Sequence, residues 1–258
     1  MNSMPTTRSK ILSHYLKIPV KDFNLQGLEN LEPFMGPPEK HSAPLVWLLQ
    51  HGAMLSWLVV PAIIQKVLFE QFPSWAEQRK YQIYYQKILG KIPIFNKIAK
   101  FIGPHGKETN VKQVKELLQK GKLTDVGTMP EGENCCLDFG EAIAPFIHAG
   151  LIKVALELQL PIVIVTHKGT EAWSLKVGHP LIEHLYPKIP LPFSYGARGI
   201  QVPVPFMRIK QLSISCGIYH TSVSKETFNA HNNNEKSYIC IEEVAKVQQF
   251  MKQQWLNM

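Results

Sequence analysis

Residues 45–69 read LVWLLQHGAMLSWLVVPAIIQKVLF, and the parse of this stretch decides the fold. A membrane-spanning helix needs about 20 consecutive, mostly apolar residues, and Gln50, His51, Ser56 and Pro61 interrupt the run. The His51-Gly52 step favours a chain reversal over a continuous helix. The stretch therefore predicts a short strand, LVWLLQ, a turn at His51-Gly52 and a helix entering the interior. His51 then stands at the carboxyl end of a strand.

The alternation continues downstream. KETNVKQVKELLQKGK (107–122) predicts a helix capped at its start by Thr109 or Asn110 and at its end by Gly121, with Val111, Val114, Leu117 and Leu118 on one face. LTDVGTMP (123–130) predicts a strand and GLIKVALELQL (150–160) a helix. PIVIVTHKG (161–169) is an apolar run of the kind that fills the middle of a sheet. Strand and helix in alternation indicate an α/β fold with a largely parallel central sheet flanked by helices, whose sites form at the carboxyl ends of the strands. Upstream, a polar stretch ending at GPPEKHSAP (36–44) sets off residues 1–43 as an N-terminal helical or irregular segment from an α/β domain over 44–258. Beyond residue 185, YPKIPLPFSYGARGIQVPVPF (186–206) reads as a stiff aromatic loop, suited to a membrane interface or to packing on the sheet. IEEVAKVQQFMKQQWLNM (241–258) reads as an amphipathic helix whose role is packing.

Composition narrows the class. A chain of 258 residues with 45% hydrophobic and 10% aromatic content sustains one large globular core. The four cysteines include the adjacent pair Cys135 and Cys136, and no Cys-x-x-Cys or Cys/His ligand spacing occurs, so no metal site and no disulfide framework are expected. MNSMPTTRSKILSHYLKIP has no secretory signal pattern, which makes the cytoplasm the expected location. The net charge of +8 is concentrated: nine lysines between Lys87 and Lys122 against Glu108 and Glu116 leave +7 in that segment. Such a patch suits an anionic membrane surface, or it is simply a solvated helix face. Nucleic acid fits less well, because the segment has no arginine.

A second strand end carries chemistry. TMPEGENCCLDFG (128–140) places Pro130-Glu131-Gly132 where a strand feeds into a loop, and Gly132 lets the chain turn sharply. Taken in order, QHGAML (50–55), KIPIFNKIAKFIGPHGKETNVKQVKELLQKG (91–121), TMPEGEN (128–134) and AGLIKVALELQLPIVIVTHKG (149–169) resemble the lysophospholipid and glycerolipid acyltransferase superfamily, leaning to its diacylglycerol acyltransferase-like branch. The resemblance covers roughly residues 45 to 172. It implies a peripheral membrane enzyme of phospholipid or glycerolipid metabolism that transfers a fatty acyl group to a lipid hydroxyl. The donor would be acyl-CoA or acyl carrier protein as co-substrate, with no other cofactor. His51 would be the general base, and the catalytic set would be His51, Ser56 and Glu131. The acceptor would be expected against Pro130, Gly132, Asn134, His105 and Lys107, with amides near Gly132 stabilising an oxyanion. Taken by themselves, His105, His148 and His167 read as structural or surface histidines.

The departures are informative. Ser56 occupies the position of the family's aspartate, Asn134 that of an arginine after Pro-Glu-Gly, and Pro104 that of a second arginine. Guanidinium groups make paired, charge-assisted bonds to phosphate that Asn cannot replace, so the resemblance points away from glycerol 3-phosphate and toward a neutral or differently charged hydroxyl acceptor. Phosphate binding would otherwise fall to Lys107 or the helix start near Thr109. With Ser56 uncharged, another acid such as Glu131 or Asp125 must orient His51, or the protein is a catalytically silent homologue that binds lipid or acyl chains. A hydrolase is disfavoured by the absence of Gly-x-Ser-x-Gly, and GPHGKET (103–109) has its glycines too close for a nucleotide-binding loop.

Overall fold

The computed structural model describes residues 7–35, 44–52, 56–84, 110–177, 198–204 and 208–258. Helix α1 (Thr7–Leu16) leads into strand β1 (Val20–Gln26) and a 3₁₀ turn (Leu28–Phe34). Strand β2 (Leu45–Leu49) is followed by helices α2 (Ser56–Gln71) and α3 (Pro73–Gln78) and strand β3 (Tyr81–Ile83). Next come α4 (Val111–Gln119), β4 (Asp125–Thr128), a 3₁₀ turn (Gly132–Cys136) and β5 (Leu137–Asp138). Helix α5 (Gly150–Leu158), β6 (Ile162–Lys168), a 3₁₀ turn (Thr170–Trp173) and β7 (Ser174–Val177) continue the chain. It closes with β8 (Gly199–Pro203), the long β9 (Ile209–Tyr219), α6 (Lys225–Ala230) and α7 (Asn233–Leu256).

The fold is α/β, with a mostly parallel six-stranded sheet in the order β1-β9-β6-β2-β4-β3. Strands β6, β2, β4 and β3 run parallel, whereas β9 pairs antiparallel to β6 and β1 follows β9. The strand-turn-helix parse of 45–69 holds, and among the described residues no helix is long and apolar enough to cross a membrane. Two readings need refinement. The segment before residue 44 is not only helical or irregular, because β1 is built into the sheet beside β9. Part of the proline-rich stretch is also a strand: β8 lies between β5 and β7 in a small antiparallel sheet. The one proline of β8, Pro203, is the last residue of the strand, where a missing N–H is tolerated.

Successive side chains of β2 point to opposite faces, and both faces are covered. Leu45, Trp47 and Leu49 join Val163 and Val165 in a core with α1, α2 and α3. Val46 and Leu48 join Ile162 and Ile164 in a second core with α4, α5 and α7. This is why β2 and β6 read as unbroken apolar runs. Helix α4 starts at Asn110, whose side chain accepts from the Gln113 N–H in a capping box, and the chain leaves it through Gly121 at φ 63°. Val114 and Leu118 are buried, with Val111 and Leu117 beside them. Of the lysine-rich segment, Lys87 to Lys107 lie outside the described residues. Lys115 is paired with Glu157 at 2.6 Å and Lys120 with Glu116 at 3.9 Å, so these two are neutralised locally.

Candidate active site

Strands β2 and β4 are neighbours, with Leu48 in register with Thr128. His51 and Glu131 each follow that register pair by the same number of residues, so two strand-end loops are brought side by side. The Glu131 carboxylate joins them: one oxygen accepts the His51 backbone N–H and the other the Ala144 N–H at 2.9 Å. The loop around Ala144 is tied to both strand ends. Gln50 Nε2 donates to Ala142 O at 3.0 Å, and Pro130 O accepts from the Ile147 and His148 amides at 2.9 and 3.0 Å. Asn134 Nδ2 donates to Pro145 O at 2.9 Å. Glu131 is buried, and among the described residues no cation lies within ion-pair distance of it. Burial pushes its pKa up to about 7, the two amide bonds opposing only in part.

The His51 ring is half-buried, with Nδ1 at 3.3 Å from Gly52 O. A carbonyl only accepts, so this contact places the proton on Nδ1 and leaves the Nε2 lone pair basic. Burial lowers the His51 pKa and favours the neutral ring. Beneath it lies His167, fully buried, whose pKa burial lowers to about 4. His167 Nε2 meets Gln50 O at 3.1 Å, Thr170 Oγ1 meets Nδ1 at 3.1 Å, and the His167 amide donates to Gln50 Oε1 at 2.9 Å. The neutral imidazole satisfies both contacts, Nε2–H donating and Nδ1 accepting. Gly52, at φ +55°, rests on this ring, and a Cβ there would come within 2.4 Å of His167 Cε1. Gly132 has the same need: at φ +52°, its Cβ would stand 2.6 Å from His148 Nε2.

The structure brings His51, Pro130, Glu131 and Gly132 to one place, and four expectations change. Glu131 holds the His51 backbone and leaves the ring to Gly52 O. Asp125 is at the other end of β4, in register with Leu45, where its carboxylate binds Arg79; it cannot orient His51. Asn134 is buried and braces the loop instead of facing an acceptor. The Gly132 amide is spent on Met129 O at 3.1 Å and the Asn134 amide on Glu131 O at 3.1 Å, so neither serves an oxyanion. Ser56 is buried as the first residue of α2. His105 and Lys107 lie outside the described residues.

His167 is a structural histidine, as its sequence context suggests, and its place beneath the site, like the bracing role of Gln50, is what the sequence does not announce. Their need for partners was legible: each is a polar residue within or ending an apolar strand, and a buried polar group must find hydrogen-bond partners. The four cysteines carry free thiols. Among the described residues no His, Cys, Asp and Glu side chains converge into a metal-holding group. A cleft of about 450 Å³ opens elsewhere, lined by Gln26, Asn30, Ser215 and Gln254, and includes none of the site residues.

Fold and site together define an α/β protein with a His and a Glu joined at adjacent strand ends. No family model and no curated protein matches the chain.

Proposed function

We propose that this protein transfers a fatty acyl group from acyl-CoA or acyl carrier protein to a lipid hydroxyl, with His51 as general base. The observation that carries this reading is the Glu131 carboxylate on the His51 amide, which unites the His-Gly turn and the Pro-Glu-Gly loop in one site. A neutral imidazole with Nδ1 directed at Gly52 O has Nε2 ready to accept a proton near pH 7. In the reaction, Nε2 takes the proton of the acceptor hydroxyl as its oxygen attacks the thioester carbonyl. The tetrahedral intermediate collapses by expelling the thiolate, which recovers that proton from the imidazolium. A neutral acceptor is favoured because Asn134, where an acceptor-binding arginine would stand in the family resembled, is turned inward to Pro145.

A second reading, a silent homologue that binds lipid or acyl chains, is favoured by the His51 ring itself. A buried carboxylate normally stabilises the imidazolium of such a base, and here a neutral carbonyl occupies that place.

The test is incubation with labelled acyl-CoA and monoacylglycerol, diacylglycerol or lysophosphatidate, with products resolved by mass spectrometry. The expected result is ester formation on the neutral acceptors, lost by about a hundred- to ten-thousand-fold in His51→Ala. Near wild-type turnover in that variant would remove His51 from the mechanism. Acyl-chain binding without any product would decide for the silent homologue.

A further inference from the structure

Near the start of the described chain an exposed apolar pair stands among mainly basic residues, with Asp22 the one acid at its edge in sequence. Tyr15 is 64% exposed and Ile18 69%, although both lie next to the buried Leu16 that anchors α1 in the core. Lys10, His14, Lys17 and Lys21 are exposed around them, and residues 7–21 contain no acidic side chain. Among the described residues no carboxylate lies within ion-pair distance of Lys10 or Lys17, while Lys21 touches Asp22 at 4.0 Å with both side chains largely solvated. The exposed apolar pair on α7 differs in this respect: Tyr238 and Ile241 stand among Glu235, Glu242, Lys236 and Lys246, a mixed field.

Topology places this patch on the same side as the site. Strand β1 runs antiparallel to β6 and β2, so its beginning lies at their carboxyl ends. Lys168, the last residue of β6, is in register with Ser213, whereas Val20 is in register with Ile209. At about 3.3 Å per residue, the α1–β1 junction projects roughly 13 Å beyond the end of β6. It stands three strands from β2, or about 14 Å to the side.

From this placement we infer that Tyr15 and Ile18, with Lys10, Lys17 and Lys21, dock the protein on an anionic lipid bilayer. An aromatic and an aliphatic side chain enter the headgroup boundary, the lysines meet the negative surface, and the carboxyl ends of the strands face the membrane. The bilayer is the occupant that matches both features, apolar side chains beside an excess of positive charge, three lysines against Asp22. This inference rests on the proposed lipid acceptor for its purpose, since docking by this edge delivers the acceptor to His51. The physical claim about the surface does not depend on turnover.

The experiment is co-sedimentation of the full chain with phosphatidylcholine vesicles and with vesicles that also contain phosphatidylserine. It compares wild type, Tyr15→Ser/Ile18→Ser and Lys10→Gln/Lys17→Gln/Lys21→Gln. All the changed residues are exposed, and circular dichroism checks that the variants fold. We expect the anionic vesicles to be preferred, the apolar double variant to bind roughly tenfold more weakly, and the lysine variant to lose about fivefold per lysine in contact. Wild type that binds neither vesicle, binds both equally, or is unaffected by either variant overturns the inference. Light scattering completes the test, because a wild-type dimer made monomeric by Tyr15→Ser/Ile18→Ser would assign the patch to a second copy. Acyl transfer to a short-chain, monodisperse monoacylglycerol is measured in parallel. Docking without transfer would fail the proposed function alone, and transfer that persists while the patch variants leave vesicle binding unchanged would fail the docking alone.

Discussion

Two buried carboxylates, at opposite ends of β4, meet different fates. Asp125, at the start of the strand, receives Arg79 in a forked pair at 2.5 and 2.7 Å, Trp47 Nε1 at 2.8 Å and Thr124 Oγ1 at 2.8 Å. Arg79 also lies over the Trp75 ring at 4.7 Å. The charge is neutralised where it is buried, and the result is a fixed post that joins β4 to the chain around β3. Glu131, just past the strand's other end, has two backbone amides and, among the described residues, no cation within ion-pair distance, and its pKa climbs to about 7. Hydrogen bonds alone do not repay the burial of a full charge. One end of the strand is thereby built for rigidity, and the other holds a carboxyl that changes protonation near neutral pH. Perturbed carboxyls of this kind cluster at functional sites, which is why the comparison favours the Glu131 end.

The largest loss of stability is expected at the Asp125 end. Arg79→Ala leaves Asp125 buried without its counter-ion, and a loss of about 3–5 kcal/mol is expected, read as a lowered denaturation midpoint. A loss below ~1 kcal/mol would show that water reaches Asp125 and that the two ends are not as different as their hydrogen bonds suggest.

At the other end the expected effect is on the pH dependence. Glu131, raised from 4.5 to about 7 on folding, contributes stability that is complete below pH 4.5 and lost as pH rises through about 7. His167, lowered from 6.5 to about 4, contributes stability that is complete above pH 6.5 and lost as pH falls through about 4. Their slopes oppose one another between pH 4.5 and 6.5. A tenfold change in proton affinity is worth about 1.4 kcal/mol, so each group changes the stability by ~3 kcal/mol in total across its own range. Glu131→Gln should therefore steepen the loss of stability toward acid, and His167→Gln the loss toward pH 7, relative to wild type. Denaturant titrations across this range read both, and three parallel curves would show that neither group changes protonation on folding.

A milder change at the Asp125 end removes a single donor. Trp47→Phe keeps most of the packing in the core while removing one donor to Asp125, for an expected cost of about 2 kcal/mol. An Arg79→Ala/Trp47→Phe double variant less destabilised than the two singles together would establish that both act on one carboxylate.

Much of this architecture was legible in the chain. The unbroken apolar runs of β2 and β6 announced strands covered on both faces, and polar breaks at Gln50, His51 and Ser56 announced where the run at 45–69 must turn. The capping signal at Asn110 and the glycine at 121 marked both ends of α4, because those groups act over a few residues and need no distant partner. His51 and Pro130-Glu131-Gly132 were recognisable as strand-end residues for the same local reason. Which partners they take was not legible. Asp125 and Glu131 look alike in sequence, and only the register of β2 on β4 sends one toward Arg79 and the other toward the His51 amide. Nor did the sequence announce β9, which runs reversed against β6. Its direction carries β1 to the edge of the sheet and α1 to the end where the site lies. Local chemistry determined the elements and the residues able to react. Long-range pairing, whose energy depends on groups distant in sequence, decided which of them meet.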